Sequence, residues 1–297
     1  VANRFLSIDA GVRARLAGDS YRPRSRLGEV IDGFAVGVVI ESRHSKFPVG
    51  ARVSSANGWQ THYLSDGKGL LRLDDRIFSP PIPDSAAIGV LGVSGLTAYF
   101  GLRLGGPRPS ETVLVSSAAG PVGATAGQIA SIRGCQVVGI AGGDRRCAYV
   151  TAELGFAACI DRRTSEDLAG AIRHSCPGGV DVYLDNVGGE VLDAALLNMN
   201  RGGRVVLCGQ VSEYNRVTPR GARNVNEIVE RSLTMQGFVV WDFLSEFKAA
   251  TAELAGWIRG GRLRWHEEVV EGFERAPQAF SDLFAGSFLG RCLIKLY

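Results

Sequence analysis

No Cys-x-x-Cys pair, no apolar run of membrane-spanning length and no block of lysines or arginines occurs in these 297 residues. Six scattered cysteines without a metal or redox spacing read as small core side chains of a reducing compartment, because a chain this long buries enough surface to do without covalent staples. A spanning helix needs about 20 consecutive apolar residues, and Val1-Ala2-Asn3-Arg4 does not resemble a secretory leader, so the cytoplasm is the expected location. The chain does not open on Met, which leaves a preceding segment open, a targeting segment included. Thirty-three basic residues against 30 acidic ones leave a net charge of +3. That balance requires neither nucleic acid nor a membrane surface and points to a small-molecule partner. Metal is not expected either. Histidine occurs only at 44, 62, 174 and 266, and His266-Glu267-Glu268 lacks the second histidine of a zinc protease. A Tyr-x-x-x-Lys pair and a Gly-x-x-x-x-Gly-Lys loop are also missing.

Glycine, by contrast, is plentiful, with 39 residues that fall mostly at the ends of apolar runs, where turns need positive φ or close backbone approach. Residues 1–92 alternate β-rich runs such as Phe34-Ala35-Val36-Gly37-Val38-Val39-Ile40 with turn clusters such as Ser65-Asp66-Gly67-Lys68-Gly69, which predicts a mostly β domain. Over 93–261 the rhythm changes to short apolar strands separated by helical stretches. Strands are expected at 112–117, 136–140, 157–160, 181–184, 204–208 and 234–240, with helices at 122–133, 145–154, 165–174, 189–197, 224–231 and 246–259. Residues 262–297 turn β-like again and are expected to rejoin the first domain. The fold class is therefore α/β, a Rossmann doubly wound parallel sheet beside a mostly β domain that the C-terminal tail completes.

Ala118-Ala119-Gly120-Pro121-Val122-Gly123 follows a predicted strand and opens a predicted helix, the context a dinucleotide fingerprint requires. Gly120 admits a pyrophosphate to the backbone, Gly123 permits close helix–strand packing, and Ala118 stands in for the usual first glycine. Pro121 suits the first helical position, and the amides of the first turn, Val122 among them, face the phosphates. NAD enzymes place an acidic residue at the end of the second strand to accept from ribose hydroxyls. Here that strand ends Ala141-Gly142-Gly143-Asp144-Arg145-Arg146. The small residues, Gly143 among them, leave room for a 2′-phosphate, and Arg146 with Arg162 and Arg163 at the end of the third strand supplies its counter-charge, so NADPH is preferred over NADH. Asp144 keeps NADH use open.

Together with this turn, Gly95-Leu96-Thr97-Ala98-Tyr99-Phe100-Gly101-Leu102, Tyr183-Leu184-Asp185-Asn186-Val187-Gly188-Gly189, Cys208-Gly209-Gln210-Val211-Ser212-Glu213-Tyr214-Asn215 and Gly237-Phe238-Val239-Val240 resemble the zinc-independent medium-chain dehydrogenases/reductases. That family includes prostaglandin reductase, alkenal double-bond reductases and curcumin reductase. The resemblance runs from Asn3 to Lys295, and family members carry a further β-rich stretch before it. It implies a GroES-like first domain and a pyrophosphate at Gly120–Gly123. It also implies a nicotinamide side lined by Thr97, Asn186, Cys208, Gly209, Val211, Ser212, Tyr214, Phe238, Val239 and Val240. The activity implied is reduction of the C=C bond of α,β-unsaturated ketones or aldehydes by hydride transfer, commonly in a homodimer. Alternatives are a quinone or alcohol/ketone oxidoreductase on the same scaffold and a non-catalytic NADPH-binding protein.

Tyr214, after the fifth strand at the carboxyl edge of the sheet, is the candidate catalytic donor, with a purely positioning role as its alternative. Three departures stand out: Arg162 replaces a Tyr, Phe288 replaces a cofactor-contacting Asn, and Ala10-Gly11-Val12 replaces a Pro-Tyr-Met that borders the active site. Trp59 and Tyr63 are expected to belong to a core, with a place in the lining of a substrate cleft as the alternative.

Overall fold

The computed structural model describes residues 1–18, 23–218 and 220–297, and divides into two units, Val1–Val93 with His266–Tyr297 and Ser94–Trp265. The first unit contains strands β1 (Ala2–Ser7), β2 (Ala35–Val38), β3 (Arg52–Ser55) and β4 (Leu71–Arg72), and its sheet is completed by two strands from the C-terminal tail, β11 (Glu267–Glu271) and β12 (Arg291–Lys295). Their order is β11-β12-β1-β2-β3-β4. β12 runs antiparallel to β1 and sets Ile294 opposite Leu6, both fully buried. A mid-sheet position for the tail follows from its composition, since Cys292-Leu293-Ile294 is buried throughout and needs cover on both faces. Tyr63 is core and donates its hydroxyl to Ser55 Oγ at 3.0 Å, and Trp59, partly buried, packs on a second cluster of this unit, edge-on to Phe280.

Two α-helices of this unit depart from the mostly β expectation, one in the tail at Ala276–Ala285 and one near the start of the chain. Ala10-Gly11-Val12 leads into a helix, α1 (Gly11–Ala17). Its buried residues, Val12 and Arg15, are three apart, and Arg15 pairs with Asp32 at 3.2 Å. Seven residues with a charged side chain on the inward face give no readable apolar period.

The second unit carries α2 (Val93–Gly105) into strands β5 (Thr112–Ser116), β6 (Gln136–Ala141), β7 (Ala158–Asp161), β8 (Val180–Asp185), β9 (Met199–Leu207) and β10 (Thr234–Gly237). Between and after them lie α3 (Pro121–Ile132), α4 (Asp144–Ala148), α5 (Leu168–Ser175), α6 (Gly189–Leu196), α7 (Asn226–Glu230) and α8 (Phe247–Arg259). The strands pair in parallel in the order β10-β9-β8-β5-β6-β7. This is the doubly wound arrangement, with its reversal between β5 and β8. β5 is buried at every residue, as a central parallel strand covered on both faces must be.

Two elements of this unit differ in kind from those expected. The predicted helix 145–154 is α4 followed by a π-helical stretch, Tyr149–Glu153. The last strand stops at Gly237, and Val240–Glu246 forms a 3₁₀ helix in place of the strand's end. There the rings of Phe100 and Phe243 stack at 4.6 Å and Phe238 meets Phe243 at 6.2 Å. The Arg103 guanidinium covers both stacked rings, at 4.8 and 5.0 Å, and bonds Glu246 at 2.8 Å. Aromatic burial in this cluster draws the chain out of the sheet plane.

Candidate dinucleotide site

At the reversal between β5 and β8 the chain leaves β5 through Ser117, a non-glycine residue with φ of +52°. Such a backbone persists only where its surroundings hold it. Ser117 O accepts the Gly120 N–H at 2.9 Å, and Ala118 N donates to Ile140 O at 3.0 Å. Gly120 is the extended N-cap of α3 and Pro121 its first residue, and no side chain caps the helix. The first-turn amides of Val122 and Gly123 therefore belong to an uncapped helix end, which attracts anions. A Cβ on Gly123 would stand 2.3 Å from Ser117 O and 2.9 Å from the Ala118 Cα, so only glycine lets α3 sit this close to the turn. The alanine at 118 has its own accommodation, because a Cβ on Gly139 of β6 would fall 2.7 Å from the Ala118 methyl. The methyl occupies the space that Gly139 leaves bare.

Across the reversal, Asp185 ends β8 with no exposed surface. Its Oδ1 accepts from Tyr183 Oη at 2.7 Å, Val187 N at 2.9 Å, and both Ser116 Oγ and Gly188 N at 3.0 Å. Burial, with the Asp185 charge beside it, holds the Tyr183 phenol well above its ordinary value, so it stays a donor. Asn186 bridges the same gap, its backbone N–H bonding Ser116 Oγ and its Nδ2 bonding Ser116 O, both at 2.8 Å. From this base the loop after β9 is built. Cys208 N donates to Asp185 O at 2.7 Å, Val211 N to Asn186 O at 3.3 Å, and Ser212 Oγ to Val187 O at 2.7 Å. Tyr214 is half-buried on this loop, its Oη accepting Gln210 N–H at 3.4 Å and lying against Gly209. Cys208 Sγ and Phe238 converge on Gly101 of α2, where an added Cβ would meet each at 3.3 Å. Thr97 is one turn earlier in α2, and Val239 and Val240 follow Phe238 into the 3₁₀ helix. Burial pushes the Cys208 thiol up, which keeps it a neutral lining group.

The turn after β6 holds a third group of site residues. Gly143 adopts φ of +96° and precedes α4, which carries the half-buried Arg146. A Cβ on Gly142 would lie 3.2 Å from Arg163 Nε and 3.6 Å from Arg162 Nε, so both guanidinium groups lie against bare backbone. Asp161 and Asp185 are the residues that sequence reasoning did not assign. Each stands before a polar turn, where an aspartate carries no signal of its burial or its partners.

The family models matched are the N-terminal domain of oxidoreductase, over residues 1–73, and zinc-binding dehydrogenase, over residues 121–256. Prostaglandin reductase 1 of Mus musculus is 40% identical over 294 residues, which cover 98% of this chain and 87% of that protein. The NADPH-dependent curcumin reductase of Escherichia coli is 37% identical over 300 residues, covering 98% and 86%. CurA from Vibrio vulnificus, solved in complex with NADPH, superposes with a TM-score of 0.93 at 35% identity and covers all of this chain and 89% of that one. The chain belongs to the prostaglandin reductase and curcumin reductase family of medium-chain oxidoreductases. In this oxidoreductase, despite the name of the second family model, no group of three or more His, Cys, Asp or Glu among the described residues could hold a metal ion. The glycine turn, the Asp185 cluster and the arginine-lined turn lie along one edge of its parallel sheet, the carboxyl ends of β5, β6, β7 and β8.

Proposed function

We propose that this enzyme uses NADPH to reduce the C=C bond of α,β-unsaturated ketones or aldehydes. The observation that carries the reading is the uncapped, glycine-built start of α3 at the sheet's reversal, in a chain 37% identical to an NADPH-dependent curcumin reductase. The residues fit the cofactor: Gly120–Gly123 suit a pyrophosphate, and Gly142–Gly143 with Arg146, Arg162 and Arg163 suit a second phosphate. NADPH, when bound, supplies the hydride that adds to the β-carbon of the acceptor. The protein's own task is then to orient the acceptor and to meet charge on its carbonyl oxygen as the enolate forms.

Asn186, the Cys208–Ser212 loop and Phe238–Val240 are assigned to the nicotinamide side, with Thr97 beside them. Tyr214 is assigned as donor to the enolate oxygen. It stands on the loop after β9, at the carboxyl edge where open sheets bind ligands, and its Oη is held by Gln210 N. The test is NADPH oxidation against short alkenals, long enones and aromatic enones with product identification. Saturated carbonyl products without alcohol support the reading, and alcohols or hydroquinones as the products overturn it.

A homodimer is proposed with it. Support comes from β10, an exposed edge strand of the parallel sheet, and from Val229 shortly before it, which is 76% exposed. Light scattering at micromolar concentration tests this, a monomeric mass being the contrary result. Six cysteines without a disulfide suit a reducing compartment, and no helix among the described residues is long and apolar enough to cross a membrane. On the thiols we assign the enzyme to the cytoplasm, and fractionation of cells tests the assignment.

A further inference from the structure

The acidic residue that NAD enzymes carry at the end of the second strand is absent from β6, which ends in Ala141 before Gly142 and Gly143. An aspartate stands one strand over instead, at the end of β7, and it is turned to a different use. Asp161 Oδ1 accepts the Gly143 N–H at 2.8 Å and the Arg163 N–H at 2.9 Å. A single oxygen thus ties the turn after β6 to the turn after β7. One helical turn beyond Gly143, the Cys147 thiol of α4 lies beside the Cys159 thiol of β7. A four-residue step along a helix rises about 6 Å and a two-residue step along a strand about 6.6 Å. Gly143 and Cys147 therefore match Asp161 and Cys159 in register, and α4 lies along β7 with a contact at each end.

This docking determines where the arginines go. Arg163 leaves the anchored backbone and returns over the glycines, its NH1 3.6 Å from where a Cβ on Gly143 would be and its Nε 3.2 Å from one on Gly142. A guanidinium laid over bare glycine backbone suits a phosphate and not a ribose hydroxyl.

We propose that Asp161 is the positioning residue of a 2′-phosphate subsite and that Arg163 is the specificity-determining side chain it places there. The inference rests on the NADPH reading above. The Gly143 amide first, then the Arg163 amide and the charges of Arg163 and Arg162, holds the Asp161 carboxyl below its ordinary value, and it stays an acceptor at neutral pH. A direct role for Asp161, accepting ribose hydroxyls, makes the opposite prediction, because it would favour the unphosphorylated nucleotide.

Calorimetry on the intact protein with two probes, adenosine 2′,5′-bisphosphate and ADP, separates these readings, together with the ratio of kcat/KM for NADPH over NADH. Asp161→Ala and Arg163→Ala should each weaken the bisphosphate about tenfold or more while ADP binding changes less than about twofold, and the NADPH preference should fall in step. Asp161→Asn keeps the acceptor oxygen and should recover most of the loss. Weakening of both probes together marks general damage and overturns the positioning role, as does selective loss of ADP. A wild type that prefers the bisphosphate, with both alanine variants unchanged, overturns this inference alone. A wild type indifferent to the 2′-phosphate overturns the NADPH reading and this inference with it.

Discussion

Replacing Asp185 by alanine removes the acceptor on which the end of β8 is built. Four donors converge on its Oδ1, from Ser116, Tyr183, Val187 and Gly188, and the residue has no exposed surface. The Ser116 hydroxyl can turn toward Leu184 O, already 3.5 Å away, which leaves three donors stranded. A buried donor without a partner costs about 1–3 kcal/mol. Partial relaxation brings the expected total to about 4 kcal/mol, which at roughly 2–4 °C per kcal/mol for a domain of this size lowers the melting temperature by about 8–16 °C. Asparagine retains one oxygen for the same donors but sets an amide N–H₂ against Gly188 N, which Oδ2 now accepts at 3.1 Å. Its cost should be about 1–2 kcal/mol. Thermal unfolding followed by circular dichroism distinguishes the terms. An alanine variant within about 2 °C of wild type would refute the reasoning. So would a stabilised asparagine variant, since it would mean that desolvation of the buried charge outweighs its hydrogen bonds.

Gly123→Ala brings a methyl to 2.3 Å from Ser117 O, so α3 must move off the turn. We expect a loss of about 1–3 kcal/mol in the melt, with NADPH affinity by fluorescence titration lowered at least about tenfold. Tyr214→Phe should slow the reduction step about a hundredfold in stopped flow while NADPH affinity stays within about threefold. A step within twofold of wild type removes the donor role. Burial raises the Glu111 carboxyl, but the bonds from Arg204 at 2.5 and 3.1 Å and from Arg108 N at 2.8 Å outweigh it and hold the carboxyl below its ordinary value. A lowered folded value means that this stabilisation is complete above about pH 4.3 and is lost as pH falls through the folded value. Glu111→Gln should therefore be less stable than wild type at neutral pH and should converge on it below about pH 4, as acid titration of the melting temperature will show.

Much of the fold was legible because its signals are local. Alternating apolar runs and helical stretches between 112 and 259 give β5–β10 and α3–α8 to within a few residues for most, and Gly120-Pro121 marks the start of α3. Two of the differences share one cause. The 3₁₀ helix after β10 depends on Phe243 stacking on Phe100, and α1 depends on Arg15 reaching Asp32, so each is decided by a partner distant in sequence. Arg163 was visible as a charge at the end of a strand, yet only the structure puts its guanidinium nearer than that of Arg162 to a Cβ on Gly142.

Determined by the sequence alone are the periodicities, the glycine turn and the lack of a Cys-x-x-Cys spacing, because each depends on residue type and spacing along the chain. Tertiary structure decided which strands became neighbours, and with that every contact that gives the site its shape. Ser116 meets Asp185 across 69 residues and Gly143 meets Asp161 across 18. A carboxylate at the end of a strand has no partner until sheet order brings one, and in a doubly wound sheet that order reverses at the very crevice where these residues stand.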